Sequence, residues 1–147
     1  METSMVSNIT ERPTLVGATL GGQGQGEVAA RSGARAALAG LASEHGFTPL
    51  EFMDAALSGC LVLSVRIAAR KFGWLDRLVR VDVEVAHLKA HEPPSRVASF
   101  TCRFDIDGNF SPDERAQLIA EAHRICTVGN TFEHGALIHD IEPAAAG

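Results

Sequence analysis

Three cysteines, Cys60, Cys102 and Cys126, carry the most consequential chemistry available to this chain. A thiolate attacks electrophiles and peroxides, and its sulfenic acid is converted by a second thiol into a disulfide. No two of the three lie close enough in sequence to form a Cys-x-x-Cys pair, a zinc site or a small disulfide framework. In a reducing compartment such thiols either fill a core or do redox chemistry. Cys102 alternates with Phe100 and Phe104 and reads as core packing. Cys60 stands among Leu57, Leu61 and Leu63, and Cys126 follows Leu118, Ile119, Ala122 and Ile125 in what reads as the last turn of a helix ended by Gly129. Taken alone, those surroundings favour packing for both. Apolar burial raises a thiol's pKa, a helix C-terminus disfavours an anion, and activation needs a positive group from elsewhere in the fold.

Other chemistries find less support. His87 and His91 read as two positions on one strand face, but no third ligand stands at a matching spacing, so no metal site is expected. No nucleophile elbow accompanies a Ser-His-Asp set. The run Gly21-Gly22-Gln23-Gly24-Gln25-Gly26 precedes no helix and lacks the Lys-Ser/Thr of a phosphate loop.

The elements that must position the thiols are legible. Apolar residues flank the glycine run, which predicts a β-hairpin across it. Arg31 to Ala42 is alanine-rich and favours helix by propensity. Thr48-Pro49-Leu50-Glu51 has a capping threonine, a proline at the first helical position and a glutamate three residues after the cap. It predicts a helix to Phe72, stopped by Gly73 and buried on most sides through Ala55, Ala56, Leu57, Leu61, Val62, Leu63 and Val65. Val79 to Val85 and Ala98 to Ile106 alternate as paired antiparallel strands, with Pro93-Pro94 between them. Ser111-Pro112-Asp113-Glu114 opens a second capped helix, and Ala136 to Ile141 reads as a short last strand.

Within this order two segments resemble the OsmC/Ohr family. Thr48-Pro49-Leu50-Glu51-Phe52 followed by Ala55-Ala56-Leu57-Ser58-Gly59-Cys60-Leu61 resembles the family's first cysteine helix, and Ile125-Cys126-Thr127-Val128-Gly129-Asn130-Thr131 resembles its second cysteine segment. The resemblance implies an α+β fold over residues 1–147 as one domain, with antiparallel sheets wrapped around a long central helix in an intertwined homodimer. It also places Arg31 to Ala42 in strand and loop. It implies a peroxidase that reduces organic hydroperoxides in oxidative stress defence. Cys60 would be the peroxidatic thiolate and Cys126 the resolving thiol, recycled by an external dithiol without a bound cofactor. The apolar surroundings of Cys60 favour fatty or aryl hydroperoxides over hydrogen peroxide.

Peroxidases of the family carry an arginine near the glycine-rich turn and a glutamate ten residues before the first cysteine. Here Gln23 and Leu50 stand at those places, and Thr127 replaces a proline common after the second cysteine. Arg31 and Arg35 are the replacement cations, and Glu51 the remaining carboxylate. Glu51 lies nine residues before Cys60, which puts it on the opposite face of the helix and roughly 13 Å along it, so its own pattern is that of a capping-box partner. These departures leave a rival reading, a non-catalytic dimer of the same fold that binds a small apolar ligand.

The bulk properties agree with a soluble domain of 147 residues, 46% hydrophobic and 21% charged. A net charge of −5 argues against nucleic acid, and no basic run suggests an anionic membrane surface. Met1-Glu2-Thr3-Ser4 opens no signal peptide, and the apolar run Ala55 to Val65 is too short for a membrane span. The expected location is the cytoplasm.

Overall fold

A capped start and a glycine stop define the longest element, as the residue types require. The computed structural model describes residues 14–41 and 43–141. The ends expected to fray, 1–12 and 143–147, lie outside the described residues. The elements are β1 (Val16–Leu20), β2 (Gly26–Ala30), β3 (Arg35–Leu38), α1 (Pro49–Lys71), a 3₁₀ turn (Leu75–Arg77), β4 (Leu78–Lys89), β5 (Val97–Gly108), α2 (Pro112–Ile125) and α3 (Thr127–His134). The chain divides into two compact units, Met1–Phe52 and Met53–Gly147.

In the first unit β1, β2 and β3 form an antiparallel sheet in that order. The glycine run turns the chain as predicted, closed by Gly21 N–H to the Gln25 carbonyl at 2.7 Å. Gly24 adopts φ +89°, a conformation that favours a residue without a side chain. The alanine-rich segment forms β3 and loop, because pairing with β2 overrides helix propensity. The start of α1 carries the predicted capping box: Thr48 N–H donates to Glu51 Oε1 at 3.0 Å, and Glu51 N–H to Thr48 Oγ1 at 3.3 Å.

From Met53 onward α1 belongs to the second unit. It ends at Gly73 (φ +74°), where Trp74 N–H reaches back to the Ala69 carbonyl at 2.7 Å. By length and mean hydropathy (1.6) α1 resembles a membrane-crossing helix, which the shorter run read from sequence did not anticipate. Its packing is that of a core helix: Leu57, Leu61, Val65, Ala68 and Ala69 are buried in clusters with residues of β4, β5, α2 and α3. The expectation of burial on most sides is corrected, however. Leu63 and Ile67 are 64% and 54% exposed, so α1 buries one face and leaves an apolar stripe open.

β4 and β5 pair antiparallel over twelve residues each, Val83 opposite Phe104 and Val85 opposite Cys102. A register shift between Leu78 and Arg80 turns Val79 outward at 74% exposure, which strict alternation did not foresee. His87 is on β4, but His91 lies beyond its end, so the two do not share a strand face.

Three charged side chains fix α2. Arg115 donates to the carbonyls of Ile106, Gly108 and Phe110 at 3.0, 3.1 and 2.5 Å, tying the helix to the end of β5. Arg77 stands over the rings of Trp74 and Phe110 (5.0 and 4.8 Å) and pairs with Glu114 at 2.6 Å. Glu121, 8% exposed, accepts from Lys71 of α1 at 2.9 Å and from Arg124 at 2.6 and 2.8 Å. Ser111 and Glu114 form the predicted capping box.

Two expectations about the C-terminal region fail. α2 stops at Ile125 and a separate helix, α3, begins at Thr127, so Gly129 lies inside a helix and ends none. Ala136 to Ile141 is not a strand; Leu137, Ile138 and Ile141 are 85–93% exposed. An alternating segment becomes a strand only when a sheet edge supplies its hydrogen bonds, and none among the described residues does.

Two outcomes follow from this packing. Arg124 and Lys71 hold the Glu121 carboxyl down to about 2, so its ion pairs stabilise the fold above the ordinary carboxylate range and lose that contribution as pH falls toward 2. Glu121→Gln is expected to lower Tm at pH 7, with the gap to wild type closing in thermal scans between pH 5 and 2. Gly108 has φ +152°, and a Cβ there would run into the Arg77 carbonyl and the Phe110 ring. Gly108→Ala is expected to cost about 2 kcal/mol or more in urea unfolding.

Candidate thiol site

The two sulfurs far apart in sequence meet where α1 passes the junction of α2 and α3. Cys60 lies midway along α1, and its neighbour Leu61, at 0% exposure, anchors that turn in the core. Cys126, also 0% exposed, is at once the C-cap of α2 and the N-cap of α3. Its backbone (φ −69°, ψ 105°) is extended, which breaks one helix and starts the next. Leu57, Leu61 and Cys126 form a buried cluster, with Cys60, Val83, Val85, Phe100, Cys102, Phe104, Val128 and Phe132 packed against it.

That junction gives Cys126 a second role besides the expected one at the end of α2. A sulfur in the last turn of a helix would face carbonyls. As the N-cap of α3, Cys126 Sγ instead accepts from Gly129 N–H at 3.3 Å. The first turn of α3 lies against α1, since a Cβ on Gly129 would meet Cys126 Sγ at 3.4 Å and Leu57 Cδ1 at 3.5 Å.

Cys60 and Cys126 are free thiols, and Cys60 packs against the buried cluster that contains Cys126. Burial pushes the Cys60 thiol up, but hydrogen bonds from the Val128 backbone, the Cys126 thiol, the Ser64 hydroxyl and the Thr127 backbone outweigh it. The net result is below the ordinary thiol value. Cys126 moves the other way. Burial first, and then its bond to Cys60, raise it to about 11 in spite of Gly129 N–H. Of the two, Cys126 is the harder to ionise. Cys102 is raised by burial. Its place opposite Val85 agrees with the packing role read from its strand.

The remaining sequence candidates belong to the first unit. Arg31 lies in the turn after β2 and is exposed. Arg35 opens β3, is 68% exposed, and pairs with Glu27 on the adjacent strand. Glu51 sits in the first turn of α1 as the capping partner of Thr48. The groups that lower Cys60 are all neutral: two amides, a hydroxyl and a thiol.

Sequence reasoning missed Ser64, 3% exposed and one helical turn beyond Cys60. The i, i+4 spacing was a signal that could have found it. It also missed the amides of Thr127 and Val128, which no side-chain pattern marks. A further pair, His87 Nδ1 with Asp54 Oδ2 at 2.7 Å, links β4 to α1.

Beside the thiols lies a cleft of about 340 Å³ whose walls include Leu57, Phe100, Cys102, His123, Gly129 and Phe132. The larger hollow over Arg80, Asp82, Glu84, Arg103 and Asp105 is on the charged outer face of β4 and β5, and no cysteine lines it.

The profile of a family described as OsmC-like protein matches residues 42–139. No curated protein matches the chain. Similar solved structures include an OsmC-like protein from Mycoplasma pneumoniae, with TM-score 0.73 and 15% identity over 84% of this chain and 89% of that one. An organic hydroperoxide resistance protein OsmC from Legionella pneumophila gives TM-score 0.69 and 20% identity over 83% and 90%. The organic hydroperoxide resistance protein OhrB of Bacillus subtilis gives 0.63 and 15% over 82% and 90%. These structures share an α+β fold of antiparallel sheets and helices with this chain, and with the profile matched over more than half its length the chain belongs to the OsmC/Ohr family of OsmC-like proteins.

Proposed function

We propose that this protein is a thiol-dependent peroxidase that reduces organic hydroperoxides in oxidative stress defence. The observation that carries the reading is the convergence of Cys60 and Cys126, far apart in sequence, in one buried cluster. The Cys60 thiolate attacks the terminal oxygen of R–O–OH. As the S–O bond forms the O–O bond breaks, and the departing alkoxide takes a proton from solvent to give the alcohol. The Cys126 thiol then condenses with the Cys60 sulfenic acid, forming the disulfide and releasing water. An external dithiol restores both thiols and is itself oxidised to a disulfide. The nearby cleft, walled by Leu57, Phe100 and Phe132 together with Ser99, His123 and Glu133, offers room for an organic group on the peroxide. Relatives of the same fold are organic hydroperoxide resistance proteins, which agrees with that substrate class.

The working unit is a homodimer in the cytoplasm. The apolar stripe of α1, Leu63 and Ile67, supports pairing with a second copy. Ile67→Glu is expected to shift the sedimentation coefficient from dimer to monomer.

Thiol counting tests the chemistry. Titrated with cumene hydroperoxide, the wild type is expected to lose two of its three free thiols and to retain Cys102. Cys126→Ser should lose one and become reactive to dimedone, while Cys60→Ser keeps its thiols. A wild type that keeps all three would reject the peroxidase in favour of the apolar-ligand reading.

A further inference from the structure

We propose that Glu133 makes the cleft between β5, α2 and α3 selective for uncharged organic groups, turning away those that bear a carboxylate. This deepens the peroxidase reading and rests on it for the reacting group, but concerns which organic group the cleft admits. At about 340 Å³ the cleft is near the lower end of the range for small-molecule pockets, so a ligand inside it lies close to every wall.

One side of the cleft is aromatic. The rings of Phe100 on β5 and Phe132 on α3 stack at 4.9 Å with 14° between their planes. His123 of α2 also lines the cleft, its ring edge-to-face with Phe104 at 5.3 Å. Such surfaces hold a further ring by offset or edge-to-face contact. Ser99, His123 and Glu133 supply the polar side. Among the described residues that line the cleft there is neither a lysine nor an arginine. A bound carboxylate ordinarily meets such a cation, or the free N–H groups of a helix start. At the start of α3, the Gly129 N–H on the cleft wall is already given to Cys126 Sγ at 3.3 Å. Glu133 stands at the other end of α3, in its last turn, where the helix dipole is negative. A ligand carboxylate therefore meets a like charge, and only the imidazole of His123 stands against it. A neutral ring with a hydroxyl meets no repulsion and can donate to Glu133.

The probes are stable alcohols: cumyl alcohol and two para-substituted forms of similar size, a carboxylate and a carboxamide. Affinity for the full-length protein is read by isothermal titration calorimetry. Cys102 lines the same cleft, so its protection from iodoacetamide, followed by peptide mass spectrometry, locates the binding. Phe132→Ala locates it a second way, and is expected to weaken all three probes by about tenfold. In the wild type the carboxamide is expected to bind about fivefold more tightly than the carboxylate at low salt, with the gap shrinking as salt is added. Glu133 is exposed, so its replacement leaves the core intact. Glu133→Gln should close the gap, and Glu133→Asp should keep most of it. Equal affinities for carboxamide and carboxylate in the wild type overturn the proposal, as does a gap that survives in Glu133→Gln. So does the absence of binding, or binding that neither protects Cys102 nor weakens in Phe132→Ala. The alcohols carry no O–O bond, so these affinities are independent of whether the wild type spends its thiols on cumene hydroperoxide.

Discussion

A single extended residue between two helices is the constraint on which the site depends. Cys126 must stop α2, start α3 and bury its sulfur completely. A continuous helix through 125–129 would spend the amides of Thr127, Val128 and Gly129 on carbonyls of the preceding turn. The break releases them, and only then can they face sulfur. The thiol chemistry of this chain is thus a consequence of where a helix is interrupted.

The rest of the second unit holds that interruption in place. Leu57, Leu61 and Val65 seat α1 in the core, which fixes the rotation that turns Cys60 toward α3. α2 cannot slide, because Arg115 binds three carbonyls around the end of β5 and Glu121 is tied to Lys71 of α1. Arg77, layered with Trp74 and Phe110 and paired to Glu114, closes the end remote from the thiols. Rigid anchoring matters because a hydrogen bond to sulfur weakens steeply with misalignment. The charged groups of α2 serve the site through geometry and not through contact.

Most of the fold was legible in the residues. Both capping boxes, Thr48 with Glu51 and Ser111 with Glu114, marked helix starts through short-range chemistry. The strand pair showed in its alternation. What escaped depended on longer-range partners. Arg31 to Ala42 has helix propensity but became a strand because β2 offers it an edge. Ala136 to Ile141 alternates like a strand but has no edge among the described residues. The site was half legible. The family resemblance singled out Cys60 and Cys126, and local pattern placed Cys126 at the end of α2, but nothing in Ile125-Cys126-Thr127 announces that a further helix starts there. Ser64 was hidden because a serine on an apolar helix face is unremarkable until its burial beside Cys60 is known.

The three cysteines also separate two effects usually confounded. All belong to one apolar cluster, so burial opposes ionisation in each. If burial alone decided reactivity, all three would be inert, as Cys102 is expected to be. Cys60 differs by its polar neighbours, whose combined effect outweighs its burial. Cys126 stays near 11, because burial and its neighbour Cys60 outweigh the amides of Gly129 and Val128. Burial alone therefore does not rank the three thiols, and the polar neighbours of each decide which way it moves. Charge from an arginine is one way to lower a thiol, and neutral dipoles in a medium poor in water are another.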